Sequence, residues 1–452
     1  MAIHLPEYFK KFLRWIGVDR AIGYSVAGKI WQLFAGPITL LLIASHLSPE
    51  VQGFYYTFIS LVALQSFVEL GFFVVITQFS SHEWSDLDLD AEGNITGKEE
   101  ALSRLVSLGR LVFKWYACLA SIFILTAGGG GYWFMSLGST TGVNWEIPWV
   151  FYIILSGLEL WVMPFMSLLE GCNQVVSINL LRLVQTITKS LILWTILLIG
   201  GDLWVAVGIA GITLLVELIM LFTRYRNFFK PFLSLSITKK ISWNKEIWPM
   251  QWRLGLGAVG AYLVHSIYTP VMFHYHDAAT AGKMGMSIQL TGMVESLAMA
   301  WVSTKVPRFG MLIAKKNWVE LDRLFFRSAI NSVIIVIICS ALLWGAVYGL
   351  NIIGHSLAQR MLSPTAFSVL LLANIFLQVA YCNYFYLRAH KKEPLLKLNI
   401  IYTLTNGLLV WFLGSQYGPM GACVAYLLTM VLILFPFSTL IFIRCRKEWH
   451  ST

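Results

Sequence analysis

Apolar side chains dominate this chain in long blocks separated by short polar connections. Stretches long enough to cross a hydrocarbon core of about 30 Å run over 22–45, 53–80, 111–135, 149–172, 175–199, 203–222, 251–274, 282–303, 328–349, 363–387, 394–414 and 418–443. The pattern predicts an all-α polytopic membrane protein with twelve transmembrane helices, because lipid satisfies no backbone polar group and only closed hydrogen-bonding structures cross it. Little chain remains for a soluble domain.

The order of these blocks carries a repeat. Moving 22–45 forward by 229 places it on 251–274, and SPEVQGF (48–54) then falls on DAATAGK (277–283), with Gly53 over Gly282. Beyond a longer connection at 81–110, an offset of about 214 brings the fourth to sixth blocks onto the tenth to twelfth. The expected organisation is an interfacial segment over 1–21, a six-helix half over 22–222, a basic linker over 223–250, a second half over 251–443 and a tail over 444–452. An even number of spans per half makes the halves parallel repeats, with a central cavity along their seam as the solute path.

Composition agrees with this class: 57% of the 452 residues are hydrophobic and 12% charged, against about 25% charged in soluble domains. The net charge of +10 does not point to nucleic acid, because its placement follows the membrane. Lys and Arg cluster in 1–21, 81–114, 223–253, 304–327, 388–397 and 444–447, whereas Lys283 and Arg360 alone occupy the alternate connections. The positive-inside rule then predicts a multi-pass membrane protein with both termini cytoplasmic. MAIHLPEYFKKFLRWIGVDR has no cleavable signal pattern and reads as a helix lying on the inner face.

Several motifs fail on context. The six cysteines are scattered and predict neither disulfides nor zinc. DLDLDAEG (86–93) begins like a calcium loop, yet Ala91 stands where the turn needs Gly and Gly97 where a Glu would close it. His274 and His276 have no third ligand nearby. No metal or cofactor is expected, apart from a coupled proton or Na+.

Ionisable and amide side chains within the apolar blocks carry the candidate chemistry, since a charge at mid-bilayer costs about 3 kcal/mol on insertion scales and such residues face protein or water. At helical spacing, Lys29 shares a face with Gln32 and Thr39; Gln65 with Glu69; Arg182 with Asn179, Gln185 and Lys189; Gln289 with Glu295. Lys29, Gln65, Glu69, Arg182, Lys189, Arg253, Gln289 and Glu295 are the expected cavity lining. Glu69, Glu159, Glu217 and Glu295 are candidates for ion coupling or for pairing with the buried cations. Lys29 and Arg253 also lie near enough to the interface to snorkel.

HLSPEVQGFYYTFISLVALQSFVELGFFVVITQF (46–79) resembles the first exofacial turn and second helix of bacterial polysaccharide and O-antigen flippases, in the multidrug/oligosaccharidyl-lipid/polysaccharide exporter superfamily. KVPRFGMLIAKKNWVELDRLFFRSA (305–329) is similar to that family's amphipathic cytoplasmic connection. The resemblance implies alternating-access transport of an undecaprenyl-diphosphate-linked oligosaccharide from the inner to the outer leaflet of the bacterial inner (cytoplasmic) membrane, with membrane lipid, a polysaccharide polymerase and chain-length proteins as partners and no nucleic acid. Lipid II flippases of the same superfamily usually have two more spans. The same fold also serves drug and cation antiporters, for which a cationic cavity is unsuited. A polymerase or ligase acting on the same lipid is a third reading. Its catalytic groups need an external platform, and the connection at 136–148 holds Glu146 alone as an acid, so an enzyme is not expected.

Overall fold

A computed structural model describes residues 20–138 and 142–451, apart from the side chains at 244, 245, 249, 250, 253, 254, 256 and 258. The interfacial helix expected over 1–21 therefore lies almost wholly outside the described residues. The chain is an all-α polytopic membrane protein. Its helices are α1 (Arg20–His46), α2 (Pro49–Val62), α3 (Gln65–Glu69), α4 (Phe72–Trp84), α5 (Glu99–Ser136), α6 (Glu146–Gly171), α7 (Val175–Leu198), α8 (Trp204–Thr223), α9 (Arg226–Ser234), α10 (Trp248–His265), α11 (Tyr268–Tyr275), α12 (Ala278–Ser303), α13 (Val306–Ala314), α14 (Trp318–Ile352), α15 (Pro364–Ala389), α16 (Leu396–Thr429) and α17 (Phe435–His450). Among the described residues nine helices are long and apolar enough to cross a membrane. The blocks at 251–274 and 282–303 are helical too, but shorter or more polar, and the last two blocks form one run with a break at Gly418.

The block at 53–80 is not one span. It divides into α2, α3 and α4, and α3 stops before α4 because Leu70 (φ 51°) and Gly71 (φ 66°) are both left-handed. That conformation is routine for glycine and uncommon for leucine. The acidic connection after α4 is a hairpin rather than a plain loop: β1 (Leu87–Leu89) pairs antiparallel with β2 (Ile95–Gly97). Asp90 Oδ1 accepts the Glu92 and Asn94 N–H groups at 2.9 and 2.8 Å, so its carboxylate is used within its own turn. The glycine run at 128–131 stays inside α5; a Cβ on Gly131 would run into the Trp149 ring, and Trp149 Nε1 donates to Gly128 O.

Two compact units form. The first holds residues up to 46, 64–133 and 144–255; the second holds 47–63, 134–143 and 256 onward. In the first, α1 packs on α7, α7 on α8, and α6 on both α4 and α8. Trp31 and Trp194 tie α1 to α7 by donating to Ser190 and Thr39. The basic linker is bolted to α5: Ser103 Oγ takes the Thr238 and Lys239 N–H groups, and Arg104 bridges Glu83 and Glu246 at 2.8 and 3.0 Å.

In the second unit α12 packs on α2, α11, α14 and α15, and α16 on α11 and α15. Ser48 and Asp277 cap the starts of α2 and α12 through their side-chain oxygens. At the far end Arg446 makes two-point contact with Asp322, and Tyr386 donates to the same carboxylate at 3.2 Å.

Candidate functional site

Polar side chains in a lipid-embedded bundle declare their purpose through their partners, so each candidate is followed to what it touches. Glu69 ends α3 with 8% of its surface exposed. The Phe73 N–H in the first turn of α4 points at its carboxylate, while Oε1 is buried with no hydrogen-bond partner. Tyr116 on α5 lies within electrostatic reach of Glu69, and its own hydroxyl is buried without a partner. Tyr116 stacks on Phe72 at 5.9 Å, and Trp243 of the linker packs edge-on with Phe72 at 4.9 Å. Gln65, one turn earlier, is half-buried.

The two cations expected side by side on α7 have separate environments. Arg182 is bound to Glu170 of α6 at 2.6 Å, with the side chains 55% and 29% exposed. It does not share a site with Lys189. Lys189 is half-buried and lies within electrostatic reach of both Glu159 on α6 and Glu217 on α8. Gln185 Nε2 donates to Glu217 Oε1 at 2.9 Å, and Glu159 Oε1 is buried without a partner. One ammonium thus faces two carboxyls, which would leave a net negative charge if both were ionised. Lys29 differs from both: it is exposed on α1, as is Gln32 one turn on, and has no ion-pair partner among the described residues. Arg253 lies on α10, with its side chain outside the described residues.

In the second unit Gln289 Oε1 accepts the Tyr56 hydroxyl at 2.7 Å, joining α12 to α2. The Tyr381 hydroxyl is directed at Glu295, and Tyr402 and Tyr426 lie within its electrostatic reach. Asn406, fully buried, donates to Leu263 O and accepts from Thr429 at 2.9 and 3.0 Å. The eight expected cavity residues are therefore distributed between the units: Lys29, Gln65, Glu69, Arg182, Lys189 and Arg253 in the first, Gln289 and Glu295 in the second. Sequence reasoning passed over Tyr116, Tyr402 and Tyr426, since an aromatic residue in an apolar helix carries no pattern that separates packing from chemistry.

Solved structures share this arrangement over nearly the whole chain. The lipid II flippase MurJ in an inward closed conformation superposes with TM-score 0.64 at 13% identity, covering 94% of this chain and 87% of that one. The MATE multidrug transporter DinF-BH matches with TM-score 0.58 at 14% identity over 94% and 95%, and an inward-facing MATE family transporter of the MOP superfamily with 0.56 at 11% over 91% and 99%. The chain has the fold of MOP-superfamily transporters. At these identities the likeness is one of fold. No family model and no curated protein matches the sequence.

Proposed function

We propose that this chain is an inner-membrane flippase that carries a lipid-linked oligosaccharide, its headgroup a sugar chain on a diphosphate, from the inner to the outer leaflet by alternating access. Lys29 carries this reading. An ammonium on the exposed face of a membrane-spanning helix, without a counter-ion among the described residues, is costly unless water or an anion meets it, and a diphosphate is such an anion. The resemblance of residues 46–79 to polysaccharide flippases supports the same cargo. Lys189 lies within electrostatic reach of Glu159 and Glu217 and Arg182 is paired with Glu170, whereas Lys29 has no such acid beside it among the described residues.

The opposite charge balance favours a second reading. The Glu159, Lys189 and Glu217 cluster with two acids for one base, together with Glu69, suits a cation-coupled antiporter that exports cationic drugs. Deleting the gene separates the two. Loss of surface glycan with precursor held in the inner leaflet supports the flippase; normal glycan with new sensitivity to cationic dyes replaces it by the antiporter.

A further inference from the structure

The connections that the basic-residue pattern places outside are poor in cations, yet the two in the second unit, Lys283 and Arg360, are brought together. Gln52 of α2, 1% exposed, donates through one nitrogen to Gly282 O at 2.9 Å and to Arg360 O at 3.1 Å. By these two distances the carbonyl oxygens lie no more than about 6 Å apart, and Lys283 follows Gly282 directly. Arg360 ends a 3-10 turn over Ser356–Arg360 that packs on α12 and α14. Two residues on, the Leu362 N–H donates to Ser287 Oγ of α12 at 3.0 Å. The backbone that carries the guanidinium is thus pinned to α2 and α12 on both sides of Met361.

The protein leaves both cations unanswered. Arg360 Nη1 is buried without a hydrogen-bond partner. Arg360 and Lys283 are half-buried, and neither has an ion-pair partner among the described residues. A buried N–H left open is unfavourable, and more so on a charged group. Of the acids at this end, Asp277 is engaged in capping α12, accepting from the Thr280 N–H at 2.6 Å and the Thr280 hydroxyl at 3.1 Å. Glu50, in the first turn of α2, reaches Arg360 only as a field: burial, the larger effect, holds the guanidinium below its ordinary pKa, and Glu50 works in the opposite sense.

We propose that Arg360 and Lys283 form a phosphate-binding site at this end of the second unit, and that its ligand is a phosphate borne by a lipid headgroup. The guanidinium fork matches two phosphate oxygens, and the ammonium adds a point charge for a third. Phosphate oxygens point in several directions, so cations rooted on different elements can each hold one; a planar carboxylate offers less. Lys283 and Arg360 stand at the ends of the apolar blocks 282–303 and 363–387, the level at which a spanning segment meets the headgroups. A phospholipid and a lipid-linked diphosphate both supply this chemistry. The inference goes beyond the flippase reading and rests on the membrane fold, not on the cargo.

The test uses the full-length protein in a neutral detergent and phosphate-free buffer near neutral pH. Melting temperature and affinity are followed as dioctanoyl phosphatidylglycerol, farnesyl diphosphate, inorganic phosphate or the phosphate-free lipid dioctanoylglycerol is added. A phosphate lipid should raise the melting temperature, inorganic phosphate far less and dioctanoylglycerol not at all; whichever phosphate lipid binds more tightly names the source. Arg360→Gln and Lys283→Gln should each weaken that binding about tenfold or more, and Arg360→Lys should recover part of it. Glu50→Gln, which removes the acid acting on Arg360, should bind at least as tightly as the parent. Lys391→Gln combined with Lys392→Gln, in a basic connection, should bind as the parent does. Unchanged affinity in both single variants overturns the site. An equal loss in the Lys391 and Lys392 variant does so too, because binding then belongs to basic surface in general. A loss in Glu50→Gln as large as in Arg360→Gln makes the two a structural pair and also overturns it, and inorganic phosphate matching the lipids overturns the lipid-borne ligand. If Arg360→Gln does not fold, Lys283→Gln decides alone, since the Lys283 side chain makes no hydrogen bond or ion pair among the described residues. Binding needs no transport, so the site and the flippase reading fail separately.

Discussion

Gly53 and Gly282 lie backbone to backbone where α2 crosses α12: a Cβ on Gly53 would run into the Ala278 carbonyl oxygen, and one on Gly282 would stand 2.9 Å from the Gly53 nitrogen. The contact is sealed by Gln52 Nε2, which donates to Gly282 O at 2.9 Å and to Arg360 O at 3.1 Å. Small residues let helices approach this closely in a membrane.

Gly53→Ala should therefore push α2 off α12. Overpacking of this kind costs about 1–3 kcal/mol, and the obstacle here is backbone, which has no rotamer to yield. The melting temperature in detergent, followed by size-exclusion fluorescence, should drop clearly for Gly53→Ala and less for Gly282→Ala, whose contacts are looser. Equal, unshifted melting for both would mean the crossing is not tight.

Arg182 and Lys189 should respond differently to removal. The Arg182–Glu170 pair is partly exposed and worth about 0–1 kcal/mol, so Arg182→Ala should reach near-normal membrane abundance. Lys189→Ala leaves Glu159 and Glu217 without their cation, and abundance should fall; adding Glu159→Gln should recover it, since losing one partner of a buried cluster costs more than losing both. Normal abundance of Lys189→Ala with transport lost would return Lys189 to the cargo.

Glu246, in the linker, gives a pH signature. The Ser242 N–H first, and then the Arg104 guanidinium, hold its carboxyl below the usual carboxylate range. A lowered folded-state value means that its stabilising contribution is present above the unfolded value of about 4.3 and is lost as pH falls through the folded one. Glu246→Gln should thus melt below the parent at pH 7, and the gap should close under acid as the parent loses the same contribution. A gap that persists at pH 3 would assign the effect to something other than charge.

Orientation follows from the basic residues. A reporter enzyme active only in the periplasm should be silent when fused after Thr452 and active when inserted in the connection holding Ser356–Arg360. The reverse pattern would invert the topology.

Much of the site was legible in outline. Glu69, Glu159, Glu217 and Glu295 stand out in the sequence because an acid among apolar residues is costly in lipid, and each is drawn into the protein, where side-chain or backbone groups meet it. Their partners were not legible. Arg182 is two turns from Lys189 on one helix, and helical spacing alone puts them together; the acid that reaches Arg182 comes from α6, twelve residues away across a turn. Tyr116 comes beside the α3–α4 segment through the stacking of its ring on Phe72.

The sequence by itself determined that this chain is a helical membrane protein and where most of its apolar helices lie. Those properties follow from the cost of leaving backbone groups unsatisfied in lipid, which is read along one segment at a time. Only the tertiary structure decided that α2 groups with the second unit rather than with α4, that the second apolar block breaks at Leu70 and Gly71, and that Lys189 faces two acids while Lys29 faces none among the described residues. Each of these depends on which helices are neighbours, and contacts between segments far apart in the chain leave no local pattern in it.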